Sequence, residues 1–186
     1  MKIKKADIVM VAIIAAMVLL GVSFALTLRG EAPEVTAEGT TATLPGGLTG
    51  GEAVCSIEIR CDTVLNHLET LDEAKAPYVP ESGVVLAKTE VSFTEGETAF
   101  DVLQRVCTEA SIQLEYSWTP VYDSYYIEGI NHLYEFDCGG QSGWMYKVNE
   151  VFPNYGCSGY TVQPGDEIVW CYTCDGLGTD VGAKME

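Results

Sequence analysis

The first strong pattern along the chain is an apolar run from Ile8 to Leu28, 21 residues without a charge, closed by Arg29 and preceded by Lys2, Lys4 and Lys5. A helix needs about 20 apolar residues to cross the hydrocarbon core of a bilayer. Lysines on the short side hold that end in the cytoplasm. Residues 1–29 therefore read as a signal-anchor transmembrane segment, with the rest of the chain outside the cell. The competing reading is a secretory signal peptide cut after Ser23-Phe24-Ala25, in which case the protein is secreted. Signal peptides carry a shorter apolar region of about 7–15 residues, which favours the anchor. A buried core helix would show a polar stripe, and this run has none.

Residues 30–53 lose all apolar rhythm and contain no aromatic residue, Lys or Arg. Gly, Thr, Pro, Ala and Glu dominate, a composition that gives a flexible tether. From residue 54 the rhythm returns. The alternation in VCSIEIRC (54–61) predicts a strand, and GVVLAKTEVSF (83–93) a second one broken near Lys88. Thr98 with Asp101 three residues on is a capping-box pattern, so a helix starts at Ala99. Phe100, Leu103, Cys107 and Ala110 line one face of that helix. GWMYKVNEVF (143–152) predicts a hairpin turning at Asn149-Glu150, and DEIVWCYT (166–173) a last strand after the Pro164-Gly165 turn. Residues 111–137 show no clean period, so strand pieces and a long excursion both fit them. One helix among several strands predicts an α+β domain over 54–186, with the helix crossing a mixed sheet.

Charge narrows the function. The chain carries 10 basic and 27 acidic residues, a net charge of −17, and residues 54–186 alone hold 22 acidic against 6 basic. Phosphate backbones need a basic face, so nucleic acid is excluded as a partner. Catalytic patterns are missing too: no G-x-S-x-G or H-E-x-x-H occurs, and Gly139-Gly140-Gln141-Ser142-Gly143 lacks a phosphate-loop lysine. His67 and His132 have no nucleophile or carboxylate arranged beside them in sequence. Asp175 and Asp180 flank a glycine-rich stretch but lack the full ligand series of a calcium loop, so no metal site is expected. The expectation is a non-enzymatic binding module without a resident cofactor.

All 7 cysteines lie in the domain. Outside the cell they are expected to form disulfides first. Cys138 and Cys157 flank the predicted hairpin, and Cys61 and Cys174 end the first and last strands, which makes these four the bridge candidates. An odd count leaves at least one thiol free, with Cys107 on the apolar helix face the candidate. Cys171 and Cys174 form a C-x-x-C on a strand, where i and i+3 side chains point to opposite faces. A redox pair would instead sit at a helix N-terminus.

Phe93 to Gly182 resembles the transcobalamin-like C-terminal domain family, through FTEGETAFDVLQRVC and YIEGINHLYEFDCGGQSGWMYKVNEVFPNYGCSGYTVQPGDEIVWCYTCDGLGTDVG. Trp144, Gly156, Tyr160 and Ile168 fall at the family's Trp-x11-Gly-x3-Tyr-x7-Ile spacing. The resemblance implies a β-grasp fold on an exported bacterial surface protein, and cobalamin or another corrinoid-like ligand. The chain departs from it in lacking the large helical domain with which animal carriers enclose cobalamin. It also has Asn149-Glu150 where bacterial relatives carry Asn-Gly, and Cys55, Cys107 and Cys171 as extra cysteines. Trp118, Tyr122, Tyr125 and Tyr126 with Trp144 and Tyr146 are the candidate ligand contacts, because aromatic rings give large contact area for little lost entropy. Filling a core is the alternative role for the same rings. The alternative function is a protein–protein module, a surface adhesin or an accessory subunit docking on a membrane transporter.

Overall fold

The computed structural model describes residues 53–184. The expected membrane segment and all of the expected linker except Ala53 lie outside them. No helix among the described residues is long and apolar enough to cross a membrane.

The domain is α+β, with two sheets and one main helix. Strand β1 (Ala53–Arg60) is followed by 3-10 turns, then β2 (Val84–Phe93), helix α1 (Ala99–Glu109), β3 (Leu114–Thr119), β4 (Ser124–Ile130) and the short β5 (Leu133–Tyr134). Strands β6 (Gly143–Val148) and β7 (Glu167–Thr173) complete the order. The first sheet runs β2-β1-β7-β6 and the second β3-β4-β5. Within the first, β1 is antiparallel to β2 and parallel to β7, with Ile57 opposite Ile168 and Ile59 opposite Trp170. A parallel pair needs a long crossover; here β2, α1, the whole second sheet and β6 lie between the two strands in sequence. The expected single mixed sheet is thus two, because residues 111–137 fold into a three-stranded sheet of their own.

Several predicted features acquire a physical form. The break near Lys88 is a register shift in β1–β2 between Ile57 and Ile59, within a continuous β2. At Asn149-Glu150 both residues take left-handed φ, 51° and 66°, as a two-residue hairpin turn demands. The second arm of that hairpin is a single bridge, Val148 to Val151. Proline at 153 has no N–H to extend the pairing.

Thr98 caps α1 reciprocally: Asp101 N–H donates to Thr98 Oγ1 (3.2 Å) and Thr98 N–H to Asp101 Oδ2 (2.8 Å). Phe100, Leu103 and Cys107 are buried as expected, joined by Ala99, Val102 and Val106. Ala110, expected on the same stripe, is the exposed C-cap. Replacing Thr98 by Ala should lower stability by about 1 kcal/mol, with Thr98→Ser close to neutral. Urea unfolding curves of the two variants check this.

The helix start is clamped from outside: Ala99 N–H donates to the Tyr160 carbonyl (2.9 Å) and Val162 N–H to that of Glu97 (2.9 Å). That segment leads into the Pro164-Gly165 turn, where Gly165 takes φ 87°. Asp166 follows, a buried carboxylate that accepts from Asn149 Nδ2 (2.7 Å), Gln163 N–H (2.9 Å) and Tyr160 O–H (3.0 Å). Three donors compensate the lost hydration of the charge. They also tie the hairpin turn, the 160–163 segment and β7 at one point.

Candidate aromatic binding groove

The β3–β4 ribbon sets Trp118 opposite Tyr125 and Ser117 opposite Tyr126. Its turn, Pro120 to Asp123, closes through Tyr122 N–H to the Thr119 carbonyl (3.1 Å), with Asp123 at φ 47°. Successive strand residues face opposite sides. Tyr125 turns inward and stacks on Phe100 of α1, with ring centroids 4.3 Å apart and an interplanar angle of 23°. Trp118 stands edge-on to Tyr125 at 5.1 Å. Tyr126 turns the other way, and its O–H donates to Glu135 Oε2 (2.6 Å). Burial, reinforced by this bond, pushes the Tyr126 phenol up to about 12, so it is neutral at physiological pH.

The opposite wall comes from the 154–158 loop. Ser158 N–H donates to Ser124 Oγ (3.2 Å), and Tyr125 N–H donates to Ser158 Oγ (3.1 Å). Gly156 lies so close to Ser124 that a Cβ there would collide with the serine side chain. Glycine at 156 is therefore what lets loop and ribbon touch. Tyr146 O–H donates to the Tyr155 carbonyl (2.9 Å), fixing the loop to the first sheet.

Between ribbon and loop lies a groove of about 250 Å³, lined by Thr119, Tyr122, Ser124, Tyr125, Tyr126, Asn154, Tyr155 and Gly156. No charged side chain lines it. Tyr122 is 75% exposed, Tyr155 51% and Tyr126 44%, so all three keep surface open to solvent. A second groove of about 320 Å³ lies beside Ser92, Phe93, Thr94, Glu97 and Arg105. Its charges are already matched, since Arg105 pairs with Glu97 (3.3 Å) and donates to the Ser92 carbonyl (2.9 Å).

The structure divides the six aromatic candidates. Tyr122, Tyr125 and Tyr126 line the groove, and Trp118 adjoins it through Tyr125 without lining it. Trp144 and Tyr146 are core residues instead. Trp144 is buried, donates from Nε1 to the Leu133 carbonyl (2.8 Å) and packs edge-on to Tyr172. Tyr146 is buried against Trp170, with centroids 5.4 Å apart. They lie on β6, whose pleat sends 144, 146 and 148 inward. Sequence reasoning missed Thr119 and Ser124 of the ribbon and, in the loop, Asn154 and Tyr155. The available signal for the loop pair was its position in FPNYG, between a proline and a glycine that force a turn.

The bridge candidates are also rearranged. Cys174 Sγ lies 3.1 Å from Cys138 Sγ, so neither expected pairing, Cys138–Cys157 nor Cys61–Cys174, is the one the fold brings together. Cys157 Sγ turns to the Tyr125 carbonyl (3.4 Å), behind the groove. Cys61 is buried, and burial with the nearby Asp62 charge pushes its thiol up to about 12. Cys107 is buried as expected, and burial raises its thiol to about 12. Cys171 directs its sulfur to the Met145 carbonyl (3.7 Å), not to Cys174. Asp180 accepts from Thr173 O–H and from Cys174 N–H (2.8 Å), and Asp175 accepts from Thr179 O–H. These local bonds account for the acidic pair of the tail. Among the described residues no three His, Cys, Asp or Glu side chains cluster as a metal site would require.

Residues 96–174, fewer than half of the chain, match the model of a domain of unknown function, DUF4430. Among curated proteins none matches. A crystal structure from Ruminococcus gnavus ATCC 29149, described as that of a candidate metal-binding protein, is similar at 13% identity and a TM-score of 0.39. The similarity covers 66% of this chain and 97% of that one.

Proposed function

We propose that the domain is a non-enzymatic binding module, held outside the membrane by the N-terminal apolar run, and that the tyrosine groove is where it grips its ligand. The observation that carries this reading is the convergence of Tyr122, Tyr125, Tyr126 and Tyr155, from two separate segments, on one uncharged groove. Binding sites are mostly apolar with a few placed polar groups; here Thr119, Ser124 and Asn154 supply those. The proposed fold family is β-grasp and transcobalamin-like. In its support, β1 and β7 pair in parallel at the centre of the first sheet and a helix lies in the crossover. Gly156 and Tyr160, two members of the family spacing, join loop to ribbon and Asp166 to the 160–163 segment.

The ligand class proposed is a flat, largely apolar ring system, for which a corrinoid is the candidate. Drug-sized ligands fill about 300–1,000 Å³. A groove of about 250 Å³ therefore takes one ring or one edge of such a molecule and leaves the remainder outside. Equilibrium dialysis of the full chain in detergent against cobalamin tests this. Saturable uptake is expected. Tyr122→Ala should weaken it about tenfold, the equivalent of about 1.4 kcal/mol. Its melting temperature should stay unchanged, since the ring is mostly in solvent. No uptake at high micromolar cobalamin would end the corrinoid reading.

A protein partner is the second reading, and a specific feature favours it. At the ribbon tip Val121 is 85% exposed beside Tyr122, with Trp118 48% exposed on the adjoining strand. Exposed Trp and Tyr are the residues that dominate protein–protein hot spots. Recovery of a stoichiometric membrane partner that Trp118→Ala abolishes is the expected result on this reading.

A further inference from the structure

We propose that Cys138 and Cys174 form the disulfide of this domain, one covalent bridge between the loop before β6 and the end of β7, with the other five cysteines remaining thiols. The two sulfurs belong to residues 36 apart in sequence and lie 3.1 Å from each other. A disulfide needs them about 2.05 Å apart, so closure takes a small side-chain movement. Both backbones are already held. Cys138 N–H donates to Ser142 Oγ (3.0 Å), and its neighbour Asp137 accepts from Asp72 N–H at its carbonyl (2.8 Å). Cys174 N–H donates to Asp180 Oδ2 (2.8 Å) directly after β7. Around the sulfurs stand only weak partners: the His67 carbonyl and Thr70 hydroxyl, each 3.6 Å from Cys138 Sγ, and Thr63 Oγ1, 4.0 Å from Cys174 Sγ.

Access differs between the two. Cys138 is buried, whereas Cys174 is partly exposed. Cys174 is therefore the sulfur that meets an external oxidant, an exchangeable disulfide such as oxidised glutathione. Its thiolate attacks one sulfur of that disulfide, forming a mixed disulfide and releasing one thiolate. Cys138 thiolate then attacks Cys174 Sγ, breaking the mixed disulfide and releasing the second. Two protein thiols are oxidised and one external disulfide is reduced to two thiols, which take up the two protons. Burial and the neighbouring Cys138 hold the Cys174 thiol above the ordinary range, so the first attack should accelerate as pH rises.

Among the described residues Cys138 and Cys174 are the one pair of cysteines with their sulfurs in contact. Those of Cys157 and Cys171 are committed to backbone carbonyls, and Cys55, Cys61 and Cys107 are buried. The bridge would also take Cys174 out of any cycling pair with Cys171.

The test equilibrates the full chain with a glutathione redox buffer, blocks remaining thiols by alkylation in denaturant, and maps cross-linked peptides by mass spectrometry. The expected result is one cross-link, Cys138 to Cys174, with five alkylated cysteines. Closing so long a loop should raise the melting temperature by about 10 °C over the reduced protein. Cys138→Ser, Cys174→Ser and the double variant should all lose that dependence on reductant to the same degree. Seven alkylated cysteines, or a cross-link joining any other pair, would overturn the proposal. If a serine variant fails to fold, the wild-type peptide map decides alone.

Discussion

Cutting Phe100 back to alanine is expected to destabilise the domain by about 3–5 kcal/mol, the range for a fully buried aromatic. It should also spoil the groove although Phe100 does not line it. Phe100 is 4% exposed on α1, stacked on Tyr125 and edge-on to Tyr116, with centroids 4.8 Å apart for the second pair. Tyr125 and Tyr116 are edge-on to each other as well, at 5.1 Å. Removing the first ring takes the support from beneath a three-ring cluster on which the ribbon rests. Phe100→Leu keeps most of the volume and should lose less than about 1.5 kcal/mol. Urea unfolding followed by the combined fluorescence of Trp118, Trp144 and Trp170 reads the loss of stability in both variants. Equal losses for Ala and Leu would show that the ring stack itself, and not buried volume, is what holds ribbon to helix.

Trp170 gives the second large effect and a sharper contrast. It is 2% exposed on β7, opposite Ile59 in β1 and Tyr146 in β6. Trp170→Ala should lose about 3–5 kcal/mol through the cavity left behind, lowering the melting temperature by about 10–20 °C. Its Nε1–H has no hydrogen-bond partner among the described residues. A buried donor left unpaired costs about 1–3 kcal/mol. Trp170→Phe removes that donor while keeping a ring on Tyr146, so the lost area and the relieved donor oppose each other. The phenylalanine variant should fall within about 1.5 kcal/mol of wild type. Calorimetry of both variants measures the difference. A phenylalanine variant as unstable as the alanine one would mean that indole shape, rather than burial alone, sets the sheet.

Local rules made much of this fold readable. The capping box placed the start of α1, alternation placed β1, the Pro164-Gly165 turn placed the start of β7, and Asn149-Glu150 placed a turn despite its non-glycine second residue. Residues 111–137 resisted because their tyrosines are of one chemical type but serve opposite faces. Tyr125 and Tyr126 are adjacent, yet one packs on Phe100 and the other turns to Glu135. Which phase faces the core depends on where α1 lies, and that is a tertiary fact. For the same reason Trp144 and Tyr146 could not be separated from the groove residues by type. Tyr155 joins the groove only because Gly156 meets Ser124 across a loop, a contact between residues 32 apart. The cysteine pairing failed likewise: Cys138 and Cys157 are close in sequence, but their sulfurs point to Cys174 and to Tyr125.

The account rests on the tyrosine groove being the surface that this domain uses. Placing a photoreactive benzoylphenylalanine at Tyr122 of the full chain, in the living cell, tests this whatever the chemical nature of the occupant. Glu90, exposed on β2, is the control position. A light-dependent adduct at 122, small-molecule or protein, and none at 90 is the predicted result. No adduct at 122, or equal labelling at both positions, would contradict it.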